Sequence, residues 1–228
     1  MKIGVVYTKG EMQNHGFEIM KATKFGAVEI YKVALCKNAS KRRFTRRLKK
    51  CIKVLADTGV SVCAAGADFA HLRTGKIQLV CDGERIIRQQ AGFAAQSFAE
   101  ANGISADIVI CGGSFSEVVE SAKQILRMRR SVYVRSPAFD DIAETIYRDV
   151  GVSIEQCRDG SFLEVDLTGG GHFLKFGEKF ADFGDITVTI PEIFSEGIPE
   201  KIIPQLAQIL EISGFLRKKE IKIGYLPK

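Results

Sequence analysis

The chain has 228 residues, 46% hydrophobic and 26% charged, enough for one large or two small packed cores and outside the range of disordered or low-complexity proteins. Its net charge of +6 is unevenly held: residues 1–75 carry 15 Lys/Arg against 5 Asp/Glu, and residues 76–228 carry 18 against 22. No apolar run approaches the roughly 20 residues of a membrane span, and the first one is cut by Thr8-Lys9-Gly10, short of the roughly 7–15 apolar residues of a secretory leader.

Ile3–Tyr7 reads as an opening strand, and the stretch 27–33 as a second. Asn38-Ala39-Ser40 offers a cap to a helix that runs to Asp57 and stops at Gly59. Short strands at 60–64 and 76–80 follow, then one long helix from Glu84 to Asn102, closed by Gly103. The alternation then sharpens. A strand at 107–111, a helix at 114–130, a strand at 131–134, a helix at 139–150 and a strand at 152–157 follow with short links. Such β-α-β units cross over right-handedly and build a parallel sheet with helices on its faces. From Ser161 to Pro191 the pattern changes to alternating segments around Gly169-Gly170-Gly171, which reads as antiparallel ribbons attached to the sheet. A helix at 199–213 and a basic tail with an edge strand after Lys219 complete the chain. The expected fold is therefore α/β and Rossmann-like, mostly parallel, with an antiparallel extension near residues 161–190. The expected division is a basic lobe at 1–82 and a Rossmann-like lobe at 83–228, or one continuous domain.

The six cysteines (36, 51, 63, 81, 111 and 157) form no C-x-x-C pair, and several sit inside strand-like runs, where a thiol behaves as a small buried hydrophobe. Reduced thiols in a cytoplasmic protein are the natural expectation, and no metal-ligand pattern is present. Cys63, with His71 eight residues on, and Cys111 lie near strand ends where a nucleophile could act; a core-lining role is the simpler reading.

Two features could meet an anion. From Lys37 to Lys53 there are nine cations and no anion: Lys37, Lys41, Arg42, Arg43, Arg46, Arg47, Lys49, Lys50 and Lys53. Phe44, Leu48, Cys51, Ile52 and Leu55 form one apolar stripe, so the cations share the opposite face. Like charges at i,i+4 repel, and cations in the first turn oppose the helix dipole. A solvated face is the bland explanation. An acidic partner is the sharper one: nucleic acid phosphates, an anionic membrane surface, or a carboxylate-rich face of this or another chain, contacted by Arg42, Arg43, Arg46, Arg47 and Lys50.

The other feature is Cys111-Gly112-Gly113-Ser114, a glycine turn between a strand and a helix. A dinucleotide fingerprint wants glycine at its first, third and sixth positions, and here those are Gly112, Ser114 and Glu117. Ser114-Phe115-Ser116-Glu117 has the spacing of a capping box, which satisfies a helix start without a ligand. The turn nevertheless resembles the opening of a Rossmann dinucleotide unit. Val134-Arg135-Ser136, ending the next strand, resembles the Asn-Arg-Thr strand end of the shikimate dehydrogenase family. That resemblance covers about 50 residues and implies NADP, with Gly112, Gly113, Ser114, Arg135 and Ser136 around it; the family's catalytic pair has no counterpart in sequence context. Thr168-Gly169-Gly170-Gly171-His172 is a further glycine loop that could cradle an anion or simply turn a hairpin. The pairs Asp140-Asp141 and Asp182/Asp185 read as caps or solvated acids.

Three functions are compatible with these residues: a non-classical ligand-binding or regulatory protein taking a small phosphorylated ligand, a polyanion-binding module acting through 37–53, and an NADP-dependent oxidoreductase. Nothing in the sequence fixes an oligomeric state.

Overall fold

The opening apolar run forms β1 (Lys2–Lys9), the middle strand of a five-stranded sheet in the computed structural model, which describes residues 1–9, 17–36, 40–70, 72, 75–157 and 160–227. Gly10, Lys37, the Asn38-Ala39 cap, His71 and the Arg158-Asp159 turn lie outside the described residues. The chain divides into two compact units, Met1–Gly83 with Thr189–Lys222, and Glu84–Val188 with Ile223–Lys228. It is an α/β, Rossmann-like protein with mostly parallel strands and an antiparallel extension. Among the described residues no helix is long and apolar enough to cross a membrane.

In the first unit the strand order is β2-β3-β1-β4-β5, with β2 at Phe17–Phe25, β3 at Val28–Cys36, β4 at Val62–Ala65 and β5 at Gln78–Val80. All neighbours are parallel except β2, which runs antiparallel to β3. Strand β2 has no counterpart among the sequence expectations, because it is an edge strand whose apolar residues are interrupted by charge. Between β3 and β4 the chain crosses β1 through helix α1 (Lys41–Asp57). Leu48, Cys51, Ile52 and Leu55 of α1 pack with Val6, Val33, Leu35, Cys63 and Ala65 of the sheet. Gly4 lets the helix come this close: a methyl there would overlap the Cys63 thiol and lie 3.3 Å from Leu55 Cδ1. The alternate residues Ile3, Val5, Ile30, Ala34 and Ala64 are equally buried, and a late helix packs on β4, so both faces are covered, as parallel strands require. After the short α6 (Glu192–Ser195), that helix is α7 (Ile203–Ile212), shorter than expected because its first turn is a tight 3-10 turn at Glu200–Ile202.

The second unit begins with a correction. The helix expected from Glu84 to Asn102 is two, α2 (Glu84–Arg88) and α3 (Ala91–Asn102). The Gln124 side chain supplies bonds the ladder gives up at the break: its Nε2 donates to the Gln89 carbonyl at 2.8 Å, and its Oε1 accepts from the Gly92 amide at 3.1 Å. Gly92 makes the approach possible, since a methyl there would sit 2.7 Å from Gln124 Cβ. Gly103 closes α3 in the left-handed conformation (φ 64°), as its position predicts.

The sheet order here is β11-β10-β9-β6-β7-β8. Strands β6 (Ile108–Cys111), β7 (Val132–Arg135), β8 (Glu155–Gln156) and β9 (Leu163–Asp166) are parallel; β10 (Leu174–Phe176) and β11 (Lys179–Ala181) add the antiparallel extension. Thus 162–167, expected as a ribbon, joins the parallel sheet as β9 beside the central β6, and the expected strand 152–157 shrinks to two residues. Helices α4 (Phe115–Arg127) and α5 (Phe139–Val150) cross between β6, β7 and β8. Helices α3, α4 and α5 pack in a row, and the residues beneath them, Ile108, Ile110, Val132, Val134, Leu163 and Val165, are buried. Consecutive right-handed crossovers running in one direction place α4 and α5 on one side of this sheet. On the opposite face Val109 is buried, Tyr133, Glu164 and Asp166 are half-buried, and Arg135 is exposed. The tail strand β13 (Lys222–Tyr225) pairs with β12 (Ile186–Thr189) in a separate two-stranded sheet, and Tyr225 stacks edge-on against Phe98 at 4.9 Å.

Candidate functional sites

The glycine turn lies at the carboxyl end of β6, where the chain leaves toward β7 while β9 flanks the other side. This is the switch point at which open parallel sheets bind ligands. Gly112 and Gly113 have φ of 64° and 90°, values that favour glycine. Their α-carbons face the chain leaving β9: a methyl on Gly112 would overlap the Thr168 side chain, and one on Gly113 would lie 2.6 Å from Leu167 Cβ. Leu167 and Thr168 are therefore packed directly against the turn.

The start of α4 is closed as its sequence predicts. Glu117 Oε2 accepts from the Ser114 amide at 2.8 Å and from the Ser114 hydroxyl at 2.7 Å, and the Glu117 amide donates back to Ser114 Oγ at 3.4 Å. A pyrophosphate bound at this turn would want the same amides, and it would meet the Glu117 carboxylate. Arg135, at the end of β7, points into a row formed by Asp166, Cys111 and Arg135 across neighbouring strands. Its guanidinium donates to Cys157 Sγ at 3.4 Å and pairs with Glu164 at 3.7 Å. Ser136 Oγ accepts the Ala138 amide at 3.2 Å, closing the turn into α5. The five residues named for a dinucleotide are thus brought to one sheet edge, where Ser114 and Ser136 are bonded within the protein and Arg135 stays exposed.

The Thr168–His172 loop is tied in the same way. Asp166 Oδ1 accepts from the Thr168 amide at 2.7 Å and its hydroxyl at 2.6 Å, and the Gly170 amide donates to Thr168 Oγ1 at 3.2 Å. Arg88 supports the loop from below, donating to the Leu167 carbonyl, pairing with Glu84 at 3.5 Å and stacking over Phe183. Sequence reasoning missed Arg88, whose role depends on a contact 79 residues away. His172 bonds Asp182 at 2.8 Å and stacks on Phe180, while Asp182 and Asp185 cap a 3-10 turn reciprocally.

Both candidate nucleophiles are held as thiols. Cys63 is fully buried inside β4, and burial pushes it up to about 12; burial does the same to Cys51. Cys111 rises to about 11, again through burial, partly offset by the Arg135 guanidinium. Among the described residues no group of three or more His, Cys, Asp or Glu side chains comes together that could hold a metal ion.

The outer face of α1 differs from all of these. Its start has no side-chain cap from Ser40 and no acid in the first turn. Arg42, Arg43, Arg46, Lys49, Lys50 and Lys53 are exposed, and Arg47 is half-buried. Among the described residues none of these seven enters an ion pair, although ion pairs occur in both units. Arg42, Thr45, Arg46 and Lys49, one helical row, line an open surface depression of about 640 Å³. Thr45 and Lys49 were outside the expected contact set; their i+3 and i+7 spacing from Arg42 is the signal that selects them. Phe44, the one aromatic of the segment, turns inward and stacks on Phe69 with ring centroids 5.7 Å apart. A second depression, of about 610 Å³, lies along β5, and its described charged residues, Lys76 and Asp82, are of opposite sign. Set against protein-family models, curated proteins and solved structures, the chain matches none, so its functional reading rests on the glycine turn and the α1 face.

Proposed function

We propose that this chain is a ligand-binding α/β protein whose ligand is a polyanion held by the outer face of α1. The observation that carries the reading is the row of Arg42, Arg46 and Lys49 beside Thr45, bordering an open surface depression, with none of the three cations in an ion pair among the described residues. Adjacent cations at i,i+4 each cost a few tenths of a kcal/mol, and cations in the first turn oppose the dipole. A fold that keeps these costs with no internal ion pair to offset them is suited to an external counter-charge. The dinucleotide reading keeps Arg135 at the end of β7 in its favour. Against it stand the packing of Leu167 and Thr168 on the turn and its occupied amides.

Retention on immobilised heparin tests the proposal. The wild-type chain should bind in low salt and elute as salt rises. Replacing Arg42, Arg43, Arg46 and Arg47 with Gln should weaken binding at least about a hundredfold and flatten its salt dependence by about four counterions. Wild-type protein that flows through in low salt would sink the reading.

A further inference from the structure

Resting on that reading of α1, we infer that the polyanion is double-stranded nucleic acid, gripped by its phosphates along both flanks of the helix. At about 100° and 1.5 Å per residue, the cations fall into two rows. Arg42, Arg46, Lys49 and Lys53 form the first, about 16 Å long; Arg43, Arg47 and Lys50 form the second, about 100° round the helix. Opposite both lies the buried stripe of Leu48, Cys51, Ile52 and Leu55, so the rows flank the outward pole. A helix with side chains is about 10–12 Å across, and a duplex major groove about 12 Å wide with phosphates along both walls. Two cation rows face two phosphate walls.

The other polyanionic partners fit less well. A single strand presents one backbone and is held largely by stacking on aromatic rings, whereas Phe44 is committed to Phe69. A helix that binds an anionic membrane needs a broad apolar face exposed beside its cations, and the outward arc of α1 offers only the half-buried Val54. An acidic protein surface would need a large apolar or aromatic anchor at the centre of the contact, and the arc has none larger than the half-buried Val54 at its end. Nor does it contain Asn or Gln, the side chains that read adenine; its arginines can bond guanine edges as well as phosphates, and the proposal assigns them to phosphates, so that affinity resides in the backbone.

Fluorescence anisotropy on the full chain decides this, with two unrelated duplexes of about 20 base pairs, oligo(dT), heparin and phosphatidylserine vesicles over about 50–200 mM salt. The duplexes should bind within about threefold of one another and at least about tenfold tighter than oligo(dT). Arg42→Gln from the first row and Arg43→Gln from the second should each lower the salt slope by about 0.9. Both positions are exposed, and an unchanged thermal midpoint shows that each variant folds. If only first-row variants move the slope, or if oligo(dT) or vesicles bind as tightly as duplex, the inference falls while the polyanion reading stands. Failure to bind heparin as well would overturn both.

Discussion

Helices α1 and α4 each follow a strand of a parallel sheet and begin at its carboxyl edge, yet they start in opposite ways. Helix α4 opens with Ser114 and Glu117 bonded reciprocally, an acid in its first turn and two glycines pressed against Leu167 and Thr168. Helix α1 opens without a side-chain cap or an acid, and among the described residues its exposed cations enter no ion pair, although the exposed Asp57 follows Lys53 by one turn. A helix start that satisfies its own amides has little left to offer an anion, even at a switch point where ligands commonly bind. One that carries unmet positive charge holds its binding energy in reserve.

The sharpest way to break this contrast is to unpack the glycine turn. Gly113→Ala would place a methyl 2.6 Å from Leu167 Cβ at a φ of 90°. Strain and overpacking together should cost about 3 kcal/mol, read as a drop in the urea midpoint. A cost below about 1 kcal/mol would mean that the turn has slack and that a ligand could enter it.

Alkaline titration probes the core on which α1 rests. Burial raises Cys51 and Cys63 from the ordinary 9.0 to about 12. The stability these thiols contribute is complete below pH 9, where they are protonated in both states, and is lost as pH rises toward 12 because only the unfolded chain ionises. Each should contribute a slope of about 1.4 kcal/mol per pH unit in that window. Cys63→Ala should flatten the slope of denaturation free energy above pH 9; an unchanged slope would place the thiol in contact with water.

Removing the α4 cap has a smaller effect. Glu117→Ala should cost about 0.5–1 kcal/mol in thermal stability. NADPH and NADH titrated to millimolar concentration into the wild-type protein should give no binding heat. Preference for NADPH that disappears in Arg135→Ala would return the site to the glycine turn. The smallest effect is on α1 itself: with Arg42, Arg43, Arg46 and Arg47 changed to Gln, thermal stability should hold level or rise by a few tenths of a kcal/mol as repulsion is relieved. A fall of more than about 1 kcal/mol would show that these side chains serve the fold.

Residues close in sequence carried much of this protein's architecture. Short apolar strands separated by helical spacings dictated an α/β fold, Gly103 and Gly151 marked helix ends that adopt left-handed conformations, and the Ser114–Glu117 spacing announced a cap that forms. These rest on local backbone chemistry and need no distant partner. Tertiary structure decided what depends on residues far apart in the chain. Gln124 breaks the helix at Gln89–Gln90 from 35 residues away, β9 joins the parallel sheet by pairing with β6, and Leu167 and Thr168 pack against the glycine turn. The cationic stripe of α1 was legible from spacing alone; that its cations enter no ion pair, among the described residues, was not, because any acid in a chain this long could have been folded against it.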